Sequence, residues 1–224
     1  MLTTTEPLDL VFAQLAGASA GYLDAISELT DREKTFLRVT ADVCQSTLGG
    51  VFAAHVRTGL AAGVSTADLR ELLRFVSYDT GYHAAAEGLE RLAGLEAELG
   101  IPRPGAEPLP EELLSAGPSP LPEAVRARLA ELDPQYAGYF DLQSRMRSGH
   151  GPGTLSERER GLASLSVDIH YQTLADTFRT HVGRALRGGA APEDVRAAVR
   201  FNAQFGVTRA WHAWEALNAF LGES

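Results

Sequence analysis

Apolar residues return along this chain at intervals of three and four, and no segment alternates convincingly with period two, so the pattern predicts an all-α fold. Thr30-Asp31-Arg32-Glu33 and Ser156-Glu157-Arg158-Glu159 both read as capping boxes, in which hydroxyl and glutamate satisfy early backbone N–H groups reciprocally. Behind the first, Phe36, Leu37, Thr40, Val43, Cys44 and Thr47 keep helical spacing; behind the second, Leu162, Ala163, Ser166, Ile169, His170 and Thr173 do the same. A second helix is expected from about Gly50 to Ala62, closed by Gly63, and its twin is closed by Gly189, glycine being suited to a left-handed C-terminal cap. A third starts after Ser65, or with Pro192 at its first position, and runs to about Tyr78 or Gln204. The fourth covers roughly Tyr82–Leu99 and Arg209–Leu221, and lead helices are expected over Leu8–Ser27 and Pro134–Ser148.

The two sets of helices are one pattern used twice. A shift of 126 residues aligns Leu29–Val76 with Leu155–Asn202 without a gap, and 15 positions are identical, among them Arg32/Arg158, Glu33/Glu159, Asp42/Asp168, Thr47/Thr173, His55/His181 and Arg74/Arg200. Chance matching gives only a few, so the sequence reads as a tandem duplication. Seven of the 11 prolines fall between Pro102 and Pro122, a density that stops helices. A short helix near Glu111–Ser115 can interrupt that stretch. The expected organisation is a first repeat over 1–100, a Pro-rich linker over 101–133 and a second repeat over 134–224.

Composition narrows the function classes. With 224 residues the chain can bury a full core, and 45% hydrophobic and 22% charged residues are ordinary globular values. The net charge of -9 disfavours nucleic acid and anionic membrane surfaces as partners. Cys44 is the one cysteine, which excludes an intramolecular disulfide, a dithiol redox pair and zinc-finger spacing. No stretch approaches a membrane span, and Met1–Pro7 lacks the basic and apolar regions of a signal peptide, so a cytoplasmic location is expected. His-rich metal spacing is absent, and His150 is expected to be a solvated linker residue.

The order of elements resembles the carboxymuconolactone decarboxylase family, which includes alkyl hydroperoxidase D. The residues that carry the resemblance are Leu29–Glu33, His55-Val56-Arg57-Thr58-Gly59-Leu60-Ala61-Ala62-Gly63, Asp68–Leu73 and Gly81-Tyr82-His83-Ala84-Ala85, with Leu155–Glu159, His181–Gly189 and Asp194–Phe201 in the second half. The resemblance implies two helical repeats of the alkyl hydroperoxidase D-like type, and a homo-oligomer, a trimer, because single repeats of the family pair and then close into rings of three. The peroxidase members carry Cys-x-x-Cys-x-x-x-His. Here the cysteine positions are Leu48 and Val51 before His55, and Leu174 and Thr177 before His181. The family's acidic relay position falls near Phe36 and Leu162. A thiol peroxidase needs an attacking and a resolving sulfur, so what remains resembles the decarboxylase branch, which implies no metal or organic cofactor.

Several residues are candidates for chemistry. His55 and His181 read either as acid/base groups facing a pocket or as buried rings capping a carbonyl. Tyr78, Asp79, Tyr82 and His83 cluster around Gly81 and could line a site, with Tyr78, Tyr82 and His83 binding substrate, or form a solvated turn with the tyrosine rings packed on the core. His170 stands where the first half has Cys44, as a pocket wall or as drift after duplication. Arg38, opposite Ser164, could clamp a carboxylate or lie on the surface. Arg74 and Arg200 are expected to pair with neighbouring acids. Gln204, Arg209, Trp211 and His212 replace the Tyr78–His83 cluster in the second half, so the halves differ most where a pocket is expected. The leading expectation is a cofactor-free lyase or isomerase acting on a small carboxylated or carbonyl metabolite. The alternatives are a non-catalytic relative that binds a ligand or partner, and a peroxide-detoxifying protein using Cys44.

Overall fold

The computed structural model describes residues 9–115, 117–147 and 153–222; Met1–Pro7 and His150 lie outside them. The described residues form α-helices and one 3-10 turn, with no strand. The first half gives α1 (Leu10–Asp24), α2 (Asp31–Gln45), α3 (Gly50–Ala61), α4 (Thr66–Thr80) and α5 (Tyr82–Glu98). Then come α6 (Glu111–Leu114), α7 (Glu123–Leu132) and α8 (Pro134–Met146). The second half continues with α9 (Glu157–Tyr171), α10 (Asp176–Arg187), α11 (Pro192–Asn202), the 3-10 turn Ala203–Phe205 and α12 (Val207–Gly222). Helix α7 sits inside the segment expected to be a Pro-rich linker. Its ten residues contain no proline and follow Pro122, so nothing blocks the ladder once the prolines end.

The caps explain why α2 and α9 start where they do. Thr30 Oγ1 accepts from the Glu33 N–H while Glu33 accepts from the Thr30 N–H, and Ser156 and Glu159 repeat this. Both helices end in a left-handed residue, Ser46 at φ 56° and Gln172 at φ 58°, again 126 positions apart.

Helices α2 and α9 lie side by side at the centre. At their starts Arg32 Nε donates to Glu159 at 2.6 Å and Arg158 Nε donates to Glu33 at 2.6 Å. Arg32 also reaches Asp68 (2.8 Å) and Arg158 reaches Asp194 (2.5 Å). At their ends Gln45 meets His170, and Cys44 meets the Tyr171 hydroxyl. Start meets start and end meets end, so the two helices run parallel. Each contact exchanges with its partner under the 126-residue shift, the self-complementary pattern of a two-fold contact.

Two apolar cores flank this pair, and each takes residues from both halves. Phe36, Phe52, Val56, Leu72 and Leu92 form one with Leu155, Ala163 and Val167. Leu162, Phe178, Val182, Val195 and Phe201 form the other with Leu23, Ile26, Leu29 and Leu37. Phe52 and Phe178 are fully buried, where truncation to Ala costs about 3–5 kcal/mol. The close crossings beside α2 and α9 are relieved differently. A Cβ on Gly59 of α3 would lie 2.4 Å from the Thr35 methyl, whereas a Cβ on Gly161 of α9 would lie 2.4 Å from the Ala185 backbone. Thr35 corresponds to Gly161 and Gly59 to Ala185, so the glycine has moved to the other helix of the crossing.

Candidate functional site

Each half positions one histidine against one aspartate. His55 on α3 donates Nδ1–H to Asp42 Oδ2 on α2 at 2.7 Å, and Thr47 Oγ1 donates to Asp42 Oδ1 at 2.9 Å. His181 on α10 donates Nδ1–H to Asp168 Oδ2 on α9 at 2.6 Å, and Thr173 Oγ1 donates to Asp168 Oδ1 at 2.6 Å. An ionised carboxylate only accepts, so the proton is on Nδ1 and Nε2 remains for exchange. Asp42 and Asp168 are almost fully buried; the His55 side chain keeps 16% of its exposure and His181 9%. The sequence pattern by itself assigns Asp42 and Asp168 no role, although both are among the repeated positions. The Phe36 and Leu162 sites are indeed apolar, but the acid that serves the histidine enters six residues later on the same helix.

Cys44 is not set up as a nucleophile. Burial pushes its thiol up to about 12, and its polar neighbour is the Tyr171 hydroxyl, itself pushed up to about 12 by burial. His170, expected as a pocket wall, is buried between Gln45, whose amide lies 3.3 Å from Nδ1, and the Phe205 ring, at 5.6 Å between centroids. Burial, with Arg209 adding to it, lowers its pKa to about 4, so the ring is neutral at pH 7.

A cavity of about 420 Å³ opens between α4, α5 and α8. Tyr78 and Tyr82 line it, together with Arg74, Phe75, Leu89 and Arg147. The Tyr82 hydroxyl donates to Gln143 Oε1 at 2.6 Å, and burial raises the pKa of Tyr78. Ala106, Glu107 and Leu109 of the Pro-rich segment also border it, so that segment forms part of a wall. Arg147 donates to Asp79 at 2.6 Å and to Ser164 at 2.7 Å, and stacks 4.4 Å from the Phe75 centroid. Arg160 and Arg184 approach the same ring at 4.9 and 5.9 Å. Burial raises the carboxyl pKa of Asp79, while Arg147, His181 and Arg184 lie close enough to pull it down. Arg147 of the cavity wall is thus paired with Asp79, which lies within electrostatic reach of His181, and no cavity-lining residue is itself His55 or His181.

The second half has a corresponding cavity of about 330 Å³. Arg200, Gln204, Val207, Trp211 and Trp214 stand where Arg74, Tyr78, Tyr82, Ala86 and Leu89 stand, and Leu23 of α1 takes the place of Arg147. Its guanidinium group comes from elsewhere: Arg38, the partner position of Ser164, stacks 5.1 Å from the Phe201 centroid and donates to Asp24 at 3.1 Å. Arg38 is thus an ion-paired residue against an aromatic ring. Arg200 pairs with Glu28 at 2.6 Å, as expected, though with an acid from the other half. Arg74 departs from expectation: its Nη2 is buried with no hydrogen-bond partner among the described residues. The carboxylate nearest in charge, Glu71, accepts from Arg160 at 2.8 Å. His83 is exposed on α5 and outside the cavity wall.

No group of three His, Cys, Asp or Glu side chains that could hold a metal occurs among the described residues, and no described helix is long and apolar enough to cross a membrane.

Residues 136–219 match the carboxymuconolactone decarboxylase family model. No curated protein matches the chain in sequence. Among solved structures, a candidate gamma-carboxymuconolactone decarboxylase subunit from Burkholderia xenovorans LB400 is 25% identical, with a TM-score of 0.58, over 96% of this chain and 88% of that one. The all-helical fold and both likenesses agree with the residues that first suggested the resemblance: the second half matches the carboxymuconolactone decarboxylase family model, and the chain as a whole is similar in fold to that solved structure.

Proposed function

We propose that this protein is a cofactor-free lyase of small-molecule metabolism, built from a duplicated family repeat, that decarboxylates a small carboxylated lactone or a related carbonyl compound. The observation that carries the reading is the buried Asp–His pair, built with the same atoms in both halves. A structural histidine needs one satisfied nitrogen. Here a carboxylate fixes Nδ1–H, a threonine holds that carboxylate, and Nε2 is left over, the arrangement that orients an imidazole for proton transfer.

In the reaction the bond between the ring carbon and the carboxylate breaks and carbon dioxide leaves. The electron pair spreads into the adjacent unsaturated carbonyl. Nε2–H of His181 then protonates the resulting dienolate at carbon, leaving a neutral ring still held by Asp168. His181 is favoured over His55 because Asp79 lies within electrostatic reach of it and brings Arg147 and Arg184 nearby, two guanidinium groups whose positive charge suits an anionic intermediate, whereas the Asp79 position in the other half is Phe205. We further propose that the chain works as a soluble cytoplasmic homotrimer, each chain replacing a pair of single repeats.

The test is carbon dioxide release from gamma-carboxymuconolactone and related carboxylated lactones by the wild type and by the His55→Gln/His181→Gln double variant. Release by the wild type and its loss in the double variant are expected; equal release by both removes the acid/base role. A ligand-binding relative without turnover is the second reading, and the absence of both family cysteine positions favours it over peroxide reduction.

A further inference from the structure

We infer that the cavity between α4, α5 and α8 is a binding site for a small organic carboxylate with a flat apolar body, and that Arg74 anchors the carboxylate. The inference deepens the reading above by assigning the substrate's anchor, and its test involves no turnover, so the two can fail separately.

The first observation is an unsatisfied cation. Arg74 lines the cavity, and its Nη2 is buried with no hydrogen-bond partner among the described residues. Burial, with the neighbouring Arg70 charge adding to it, lowers its pKa against the attraction of Glu71. A buried donor on a charged group is costly when unmade, and a two-oxygen anion meets a guanidinium group with two parallel hydrogen bonds. A second donor faces the same problem: Arg147 Nε is buried without a partner, while its Nη2 is engaged by Asp79 and Ser164.

The second observation is the charge balance. Asp79 is taken by Arg147 and Glu71 by Arg160. Glu107 is the remaining acid on the wall, and it is exposed on the segment at the rim. The interior therefore carries one positive charge in excess, which suits a monoanion better than a phosphate dianion. The rest of the wall is Phe75, Tyr78, Ala85 and Leu89, rings and methyl groups that suit a planar hydrocarbon body. Its volume is that of small-molecule pockets, which run from about 300 to 1,000 Å³.

The third observation is an internal control. Arg200 occupies the same place in the other cavity, and Glu28 already pairs with it. The residue 126 positions after Glu28 is Thr154, which offers Arg74 no carboxylate. Trp211 and Trp214 further fill that cavity where the first has Ala86 and Leu89. One half has kept a guanidinium group for an outside anion, and the other has neutralised it from within.

The experiment is isothermal titration of the full chain with benzoate, its neutral isostere benzamide, and inorganic phosphate. Benzoate is expected to bind in the millimolar range or tighter, at least tenfold better than benzamide or phosphate. Arg74→Gln should remove that preference, and Arg200→Gln should leave it intact. Ala86→Trp, which imports the second cavity's tryptophan without touching Arg74, should block binding and serves as the test if Arg74→Gln does not fold. Equal affinity for benzoate and benzamide, undiminished binding by Arg74→Gln or Ala86→Trp, tighter binding of phosphate, or no binding of benzoate would each overturn the inference. Binding without carbon dioxide release would uphold it and count against the lyase.

Discussion

The two cavities stand on corresponding helices, yet one is cationic and roomier and the other is neutralised and narrower. Arg74, Tyr78 and Ala86 face the first; Arg200 with its Glu28 partner, Gln204 and Trp211 face the second. The Asp–His pairs and the arginine–glutamate contacts between α2 and α9 do not differ in this way. The contacts between the halves and the Asp–His pair inside each half have kept their residues, and the cavity walls have not. A guanidinium group stacks on the core phenylalanine in both halves, but Arg147, just past the end of α8, supplies it in one and Arg38 of α2 in the other. What is maintained there is the placement of a charge, not a sequence position.

The largest stability effect is expected where that charge is most buried. Asp79→Ala strands Arg147 among apolar rings and should cost about 3–5 kcal/mol in urea unfolding. Leu23→Met, at the position equivalent to Arg147, should cost less than about 1.5 kcal/mol. Similar losses at the two sites would break the asserted asymmetry.

His170 offers a pH test of the same comparison, because its counterpart is Cys44. The unfolded chain takes up the proton near pH 6.5, but the folded ring only near about 4. Stability is therefore complete above pH 6.5 and falls as pH drops through that window, by up to about 3 kcal/mol. Asp79, with its carboxyl pKa raised, acts in the opposite sense, so the comparison is with His170→Gln, which should flatten the decline between pH 7 and pH 4.5. An unchanged decline in that variant would assign it to other groups.

Much of this was legible in the sequence. The capping boxes located α2 and α9, and the Gly63 and Gly189 signals closed α3 and α10, because these are short-range chemistry. Asp42 was visible as a repeated position, and its spacing of 13 residues from His55, equal to that of Asp168 from His181, was the signal for the pair. Asp79 stood in the candidate cluster, but Arg147, its pairing with Asp79 and the wall formed by Ala106–Leu109 were not legible. Each acts through a partner 17 or more residues away, on an element whose docking no local pattern encodes. The state of Arg74 was not legible for the same reason. Its twin's acid, Glu28, comes from the opposite half, and no local pattern shows that Arg74 lacks one.

Smaller effects test the helix crossings. Gly59→Ala should cost about 1–2 kcal/mol through the Thr35 methyl, and Thr35→Gly added to it should recover most of that loss by reproducing the Gly161–Ala185 arrangement. Additive losses in thermal unfolding would mean that the two crossings are not interchangeable. The smallest stability effect is expected from Glu28→Gln, since the ion pair is partly solvated. It should barely move Tm but free Arg200, and benzoate should then quench Trp211 or Trp214 fluorescence weakly where the wild type shows no change.

The central claim is that one half is the catalytic one. Turnover of a carboxylated lactone substrate by His181→Gln and by His55→Gln, measured side by side, tests it most directly. Loss of an acid/base group costs about a hundredfold or more, so His181→Gln should fall by at least that factor while His55→Gln stays within a few-fold of the wild type. Equal losses in the two variants, or the larger loss in His55→Gln, would contradict the account.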